Sequence, residues 1–560
     1  MLTFPVFLLL LAAIPALILL HLAVAPYTKV EESFHVQAIH DILSYGIPTR
    51  NISETLRVDY DHFTFPGAVP RTFVGALVLS GMSQPFIWLK DNVDRQFLAR
   101  AILGLFNAAS LLSFASGLRR AAGKTTAIWY LLFQTSQFHV LYYASRTLSN
   151  MFAFGLTTLA LRYLLPEPVS PRVYKKRSRL SLYLLTVAGI IFRSELAIFL
   201  ATNTLFLVAT RRITIQREII PAGILGLLVG LASTVLVDSY FWQQFPLWPE
   251  LAAFKFNVIA GQSSAWGTHS WHFYFTNAIP RLLLNPLTYT VGTPLALFQP
   301  ATRSLAAYTL IPSLVFLAIY SAQPHKEWRF VIYTIPALTA ASALGASYIW
   351  THRAKSLLYR LLSLLMLAST FASFLLSTFI LLPASSANYP GAHAIHALHS
   401  HANPNPDTPV VSVYLGNLAC QTGVTRFLQH PFSSTAADGS TVWKYDKTED
   451  EAAKSSASFW SQFDYVLVEP GDEAGQVLAD SPDNWVDLDT VDGFAGLRII
   501  RPGDQAVGAV EEKILGSVFG QEGVRVWNSG RDFVRRVVTK GWWAEVRMEP
   551  KIRVLGRARE

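Results

Sequence analysis

Two groups of side chains in this 560-residue chain have the types and spacing that group-transfer chemistry needs. Glu31 and Glu32 stand in APYTKVEESF, just beyond the first apolar run, and the compact string HKEWRF, His325 to Phe330, lies between two later apolar runs. A carboxylate at a water–lipid boundary suits a general base. Lys326 and Arg329 are three apart, so on a helical turn they share one face, and an arginine fork matches phosphate oxygens. His325 adds a third donor, Glu327 is placed to hold Arg329, and Trp328 and Phe330 suit an interfacial belt. If both groups face one side of a membrane, they supply a base and a cationic anion site at one boundary, a combination suited to sugar transfer from a lipid phosphate. Each group also has a bland reading: a solvated helix end for the carboxylates, snorkelling anchors for the cations. Placed away from the cytosol, where orientation does not call for positive charge, HKEWRF reads more naturally as a phosphate site.

Weaker candidates surround these two. The stretch DYDHFTFPGAVPRT contributes Asp59, Asp61, His62 and Arg71, and its Pro66, Gly67 and Pro70 predict a shaped loop rather than a helix. An Asp-x-Asp-His string is compatible with a divalent cation of the kind a sugar-nucleotide donor requires, but no further ligand string accompanies it and no metal is expected. Arg146, Arg193, Glu195 and Asp238 are ionisable residues in or beside apolar runs. Such residues are functional suspects by default, although Arg193 and Glu195 equally suit a pair joining two helices. Asn51-Ile52-Ser53 is the one sequon with a permissible central residue.

The elements that must position these residues are set by composition. With 51% hydrophobic and 15% charged residues and a mean hydropathy of +0.33, the chain is too apolar for a soluble protein of its length. Apolar runs near 4–25, 97–118, 126–143, 148–165, 181–194, 196–210, 219–238, 286–299, 305–322, 331–350 and 356–382 predict about eleven spans. The net charge of +9 sits in short loops, including Arg119–Arg120, Lys175–Lys176–Arg177 and Arg211–Arg212, which fits bilayer orientation and not nucleic-acid binding. Those alternate loops are cytosolic if residues 72–89, interrupted by Gly75, Gly81 and Pro85, form a re-entrant or in-plane segment instead of crossing. Loops 26–96, 239–285 and 323–330 and everything after 382 then face the lumen. The first run reads as a retained anchor: Ala23-Val24-Ala25 has the form of a cleavage site, but no Lys or Arg precedes residue 20. Cys420 stands alone, which excludes an intramolecular disulfide and CxxC metal sites.

Beyond Leu382 long apolar runs end. The segments VVSVYLG (410–416), YVLVEP (465–470) and LRII (497–500) read as strands, so the chain divides into a membrane module, 1–382, and a small lumenal α/β domain with a basic tail, 383–560.

The strings PYTKVEESF, YDHFTFPGAVPRT, YYASRTLSN, FRSEL, VDSYFW, WPE, SSAWGTH, HKEWRF, NYPG, QTGVTRF and WKYDK resemble, in this order, the dolichyl-phosphate-mannose-dependent α-1,6-mannosyltransferases of the endoplasmic reticulum that act on Man7GlcNAc2-PP-dolichol. HKEWRF alone resembles the HKE-x-RF signature of the wider mannosyltransferase family. The matches run from about residue 26 to 450. This resemblance implies a polytopic α-helical GT-C fold with a lumenal active site in the endoplasmic reticulum membrane. It implies dolichyl phosphate mannose as donor, the lipid-linked oligosaccharide as acceptor, and inversion from a β-linked donor to an α-1,6 product. The first lumenal loop supplies the base in related enzymes, which gives Glu31 or Glu32. Many relatives have Asp-Glu where this chain has Glu-Glu, and Glu31 is favoured. A monophosphate leaving group can be met by cationic side chains, so neither metal nor other cofactor is expected. Two rival expectations are an α-1,2 enzyme of the same family, acting on lipid-linked oligosaccharide or a glycosylphosphatidylinositol precursor, and a polyprenyl-lipid transporter.

Overall fold

The computed structural model describes residues 3–558 except 91, 403–409, 431–440, 472–484 and 506–507. Its contacts divide the chain into two compact units, Met1–Leu22 with Asp41–Thr378, and Ala23–His40 with Phe379–Glu560. The expected division at 382/383 therefore moves to 378/379, and the segment carrying Glu31 and Glu32 joins the C-terminal unit.

The first unit is helical, and its burial pattern is that of a protein solvated by lipid. In the helix Ile220–Trp242 the buried positions include Ala222, Gly226, Gly230, Thr234 and Asp238, one stripe at four-residue spacing, while Ile224, Leu225, Leu228 and Leu236 are exposed. Leu357–Leu376 does the same, burying Ser363, Thr370 and Ser373 and exposing Leu358, Leu361, Leu364 and Leu365. Water would select the opposite arrangement, whereas small and polar residues between helices are what association in a bilayer uses. Ile335–Thr351 runs through the middle and is buried along most of its length. Its small residues allow close crossing: a Cβ on Gly345 would stand 1.9 Å from the carbonyl oxygen of Gly292.

Among the described residues, six helical segments are long and apolar enough to cross a membrane: Pro5–Val24, Arg95–Ala122, Ile215–Trp242, Pro300–Tyr320, Trp328–Thr351 and Leu357–Ser386. The remaining expected spans are also helical but shorter, less apolar or composite. Residues 126–143 divide into Lys124–Ser136 and Phe138–Tyr143 at Gln137, whose amide donates to Thr339 Oγ1 at 2.9 Å.

Residues 72–89, expected not to cross fully, carry one continuous helix, Val74–Leu89, despite Gly75, Gly81 and Pro85, and it is shorter than the six segments of crossing length. Pro85 would press on the carbonyl four residues back, which belongs to Gly81. Gly75 is a packing glycine, its missing Cβ replaced by the ring of Phe152 at 2.9 Å. The loop predicted over 59–72 likewise contains one helical turn, Asp61–Thr64.

The second unit is built on a five-stranded sheet: β1 Val410–Leu415, β2 Val442–Asp446, β3 Tyr465–Val468, β4 Trp485–Ile500 and β5 Trp543–Arg557, in the order β2-β1-β3-β5-β4. β1 is parallel to β2 and β3, and β5 is antiparallel to both β3 and β4. Val411, Val413 and Leu467 pack on Ile395 and Leu398 of the helix Pro390–His401, while Tyr414, Val466 and Val468 face Trp460 and Phe463. β1 and β3 are covered on both sides, which is why they read as continuous apolar runs. The expected basic tail is no tail: residues 509–537 are helical and 543–557 form β5.

Candidate functional site

HKEWRF joins the helix Pro300–Tyr320 to a 3-10 segment, Trp328–Thr334. Glu327 is extended (φ −130°, ψ 150°), so Lys326 and Arg329 do not share a helical face as their spacing predicted. Lys326 is 2% exposed, and its Nζ donates to the carbonyls of Gln323 at 2.6 Å, His269 at 3.0 Å and Pro324 at 3.5 Å. An ammonium has three protons, and this geometry directs all of them to backbone carbonyls, so Lys326 ties two loops together. Burial lowers its pKa.

Glu327 is the centre of the string. Its Oε1 accepts from Arg329 Nη2 at 2.6 Å and meets His325 Nε2 at 3.2 Å, while His325 Nδ1 meets the Gly267 carbonyl at 2.9 Å. Both partners of His325 are acceptors, so both ring nitrogens donate only as imidazolium. The ring of Phe330 gathers positive charge: the guanidinium carbons of Arg193 and Arg329 lie 5.1 and 5.9 Å from its centre, and the His325 ring 5.8 Å. Trp328 packs on Tyr143 at 4.3 Å and on His139 at 5.3 Å.

Arg193 and Glu195, at the turn between the helices Pro171–Ile191 and Leu196–Ala209, are brought to this cluster. Arg193 Nε donates to Glu195 Oε1 at 2.8 Å, and the same oxygen accepts from Asn150 Nδ2 and Tyr333 OH, both at 3.3 Å. Glu250 completes the group: its Oε2 accepts from the Ser194 N–H at 2.7 Å. Burial pushes the Glu250 carboxyl up to about 7, against the lowering effect of Arg193 and that hydrogen bond. Asn150 and Glu250 were not singled out in the sequence, although both lie in strings that carry the family resemblance, YYASRTLSN and WPE.

Other candidates serve elsewhere. Asp238 is fully buried and accepts from the Phe73 N–H at 2.7 Å and Thr234 Oγ1 at 2.5 Å, which fixes the start of the helix Val74–Leu89. His62 Nε2 meets the Phe241 carbonyl at 2.9 Å, and burial lowers its pKa despite that bond and the nearby Asp41 and Asp61. Asp61 donates its N–H to Asp41 Oδ2 at 2.8 Å, Asp59 ends the helix Ile52–Asp59, and the Arg71 carbonyl accepts from Trp242 Nε1 at 3.0 Å. His62, the Arg71 carbonyl and Asp238 thus latch the 59–73 stretch to the end of Ile220–Trp242, while Asp61 ties it to Asp41 in the helix Ser33–Tyr45. Arg146 is buried with its guanidinium 4.3 Å from the Tyr142 ring centre. Among the described residues no three His, Cys, Asp or Glu side chains gather as a metal site would.

The paired carboxylates belong to the second unit. They end a 3-10 turn, Val30–Glu32, that leads into the helix Ser33–Tyr45. The two are not equivalent: Glu31 is exposed, whereas Glu32 is 2% exposed and its Oε1 accepts from the Lys29 N–H at 3.2 Å. Lys29 Nζ donates to Asn388 Oδ1 at 3.2 Å, Tyr27 meets His393 edge-on at 5.1 Å, and Gln37 Oε1 accepts from the Arg426 N–H at 3.1 Å. PYTKVEESF thus packs with NYPG and QTGVTRF, which lie hundreds of residues further along the chain.

Residues 8–429 match the family model described as the Alg9-like mannosyltransferase family. A protein of Schizosaccharomyces pombe, named probable Dol-P-Man:Man(7)GlcNAc(2)-PP-Dol alpha-1,6-mannosyltransferase, is 37% identical over 445 residues, 79% of this chain and 74% of its own. A Saccharomyces cerevisiae protein named Dol-P-Man:Man(7)GlcNAc(2)-PP-Dol alpha-1,6-mannosyltransferase is 31% identical over 504 residues, 85% of this chain and 86% of its own. Among solved structures, ArnT from Cupriavidus metallidurans bound to undecaprenyl phosphate aligns with a TM-score of 0.57 at 14% identity, over 86% of this chain and 96% of its own. At that identity the likeness is one of fold.

Proposed function

We propose, because the chain belongs to the Alg9-like mannosyltransferase family, that it moves mannose from dolichyl phosphate mannose to Man7GlcNAc2-PP-dolichol in α-1,6 linkage, giving Man8GlcNAc2-PP-dolichol for protein N-glycosylation. The observation that carries this reading is that two curated relatives, each matched over most of the chain, bear this specific name. The protein is a multi-pass membrane enzyme, and the likeness to ArnT supports a GT-C architecture. We place it in the endoplasmic reticulum with about eleven spans, its chemistry and its C-terminal domain lumenal.

The transfer is a single inversion. The acceptor 6-hydroxyl attacks C1 of the donor mannose, the C1–O bond to phosphate breaks, and dolichyl phosphate departs on the opposite side. Glu31 takes the hydroxyl proton, a role supported by its exposure beside a Glu32 that is buried and committed to Lys29. Arg329 stabilises the phosphate, with Arg193 adding charge behind Phe330, Glu327 fixing the direction of Arg329, and His325 supporting Glu327 from the Gly267 carbonyl. Lys326 acts through the loops it joins. Cationic side chains suffice for a monophosphate, so no metal is required.

Membranes carrying the full chain, supplied with dolichyl phosphate mannose and defined acceptors, test this. The expected product is Man8GlcNAc2-PP-dolichol whose new residue is α-1,6-linked, and cells lacking the protein should accumulate the Man7 species. An α-1,2 linkage, or transfer to a glycosylphosphatidylinositol precursor instead, overturns the assignment. Glu31→Gln should lower the rate about 10²–10⁴-fold and Glu32→Gln much less. A polyprenyl-lipid transporter would keep its transport in both variants and make no product.

A further inference from the structure

The helices Pro300–Tyr320 and Ile335–Thr351 both connect HKEWRF to the opposite end of the first unit, about 30 Å away for 21 residues of α-helix. There the ends of several helices line an open cavity of about 630 Å³, which the transfer reaction does not use. Its lining includes Arg212, His352, Tyr308, Ser304 and Ser347, and among the described residues no carboxylate lines it. Arg212 is held in place by rings, its guanidinium carbon 5.7 Å from the centre of Tyr174 and 5.9 Å from that of Tyr308, whose hydroxyls contact each other. His352 is fixed by stacking on Tyr348 at 4.0 Å and by Nδ1 against the Tyr348 carbonyl at 2.8 Å, a bond that leaves its Nε2 on the other side of the ring.

The surroundings favour an anion. The loops at this end carry Arg119, Arg120, Lys124, Arg172 and the run Lys175–Lys176–Arg177. Their carboxylates are already engaged: Glu167 pairs with Arg120, Arg162 and Arg177 at 2.7–2.8 Å, and Glu218 accepts from the Thr214 N–H and hydroxyl at 2.7 and 2.8 Å. Orientation in a bilayer accounts for basic loops, but it does not require a roomy cavity lined by hydroxyls with an arginine beside two tyrosine rings.

We propose that this cavity is a phosphate-ester site on the membrane face opposite HKEWRF, in which Arg212 is the anchoring cation and the hydroxyls of Ser304 and Ser347 complete the cradle. Its ligand is a phosphate group presented by an anionic phospholipid headgroup or by a soluble phosphate. The full chain in nanodiscs of phosphatidylcholine, with or without added phosphatidylinositol, is assayed for retained lipid by native mass spectrometry and for thermal unfolding. A parallel arm adds inorganic phosphate to the phosphatidylcholine discs. In at least one arm the wild type should bind and be stabilised. Arg212→Gln should weaken that binding about fivefold, as expected for one cation, His352→Gln should also weaken it, and Lys176→Gln, which removes the same charge from an exposed position outside the cavity, should change it little. Binding in the phosphatidylinositol arm alone identifies a lipid source, and binding in both arms identifies phosphate itself. No binding in either arm, or equal losses for Arg212→Gln and Lys176→Gln, overturns the site.

Discussion

Replacing Lys326 separates two roles that the sequence alone leaves merged. Lys326→Met keeps the apolar stem and removes the ammonium that bonds Gln323 and His269 at 2.6 and 3.0 Å. Charge-assisted hydrogen bonds contribute about 1.5–3 kcal/mol each, and the variant also leaves two carbonyls without this donor. Against that, the variant no longer buries a charge whose pKa burial already lowers. A net loss of about 2–4 kcal/mol follows, or about 3–5 °C in the unfolding temperature of a unit this large. Lys326→Arg should do no better, because a planar fork does not fit a niche shaped for one nitrogen. The assay is thermal unfolding of the purified variants alongside kcat and KM for dolichyl phosphate mannose. A strut predicts lower stability and lower kcat with donor KM nearly unchanged. An unaltered unfolding temperature together with a donor KM raised tenfold, and rescue by arginine, would refute the strut and restore Lys326 as a phosphate ligand.

Glu250 should give the enzyme a measurable pH signature. Its carboxyl is raised from 4.5 to about 7, so between those values the folded state holds a proton that the unfolded chain has lost, and stability falls as pH rises through the window. Glu250→Gln can still accept from the Ser194 N–H, so thermal unfolding followed from pH 5 to 8 should lose this component of its slope, and an unchanged slope would exclude Glu250 as its source. At the Gly345–Gly292 crossing, Gly345→Val should prevent recovery of a monodisperse protein in detergent, because its Cβ would stand 1.9 Å from a carbonyl oxygen. Gly189→Ala, whose nearest neighbour would be 3.6 Å away, should be recovered normally.

Helix positions were legible because lipid imposes length and apolarity on every span, and the observed helices follow the expected runs closely. The loops were less so. Spacing alone cannot distinguish a helical turn from an extended residue followed by a 3-10 turn, so Lys326 and Arg329 were placed on one face that does not exist. Asn150 and Glu250 carry no local pattern at all; only the folded chain brings them to Arg193 and Glu195. All of β5, and all of β4 but its end at 497–500, were missed for a different reason. Charged side chains interrupt both β4 and β5, and the sheet tolerates them because they pair across strands, Arg498 with Glu545 at 2.6 Å and Arg553 with Asp487 at 3.0 Å. Read without its partner, β5 is a basic tail.

The strand order ties the first carboxylates to β5. β5 lies between β3 and β4, so neither the antiparallel edge of β3 nor the pairing of β4 forms until residues 543–557 have been synthesised. The Phe494 N–H of β4 donates to the Ala387 carbonyl at 3.0 Å, just before the NYPG string, and a Cβ on Gly493 would stand 3.1 Å from Pro390. Pro390 opens the helix whose His393 packs on Tyr27, and Asn388 holds Lys29, the residue whose N–H Glu32 caps. The acidic turn is therefore local in sequence but not in stability: it is held by a helix that is itself held by the two longest strands. Direct substitution of Glu31 tests its chemistry, whereas loosening β5 would disturb the turn's position while leaving every residue near it unchanged.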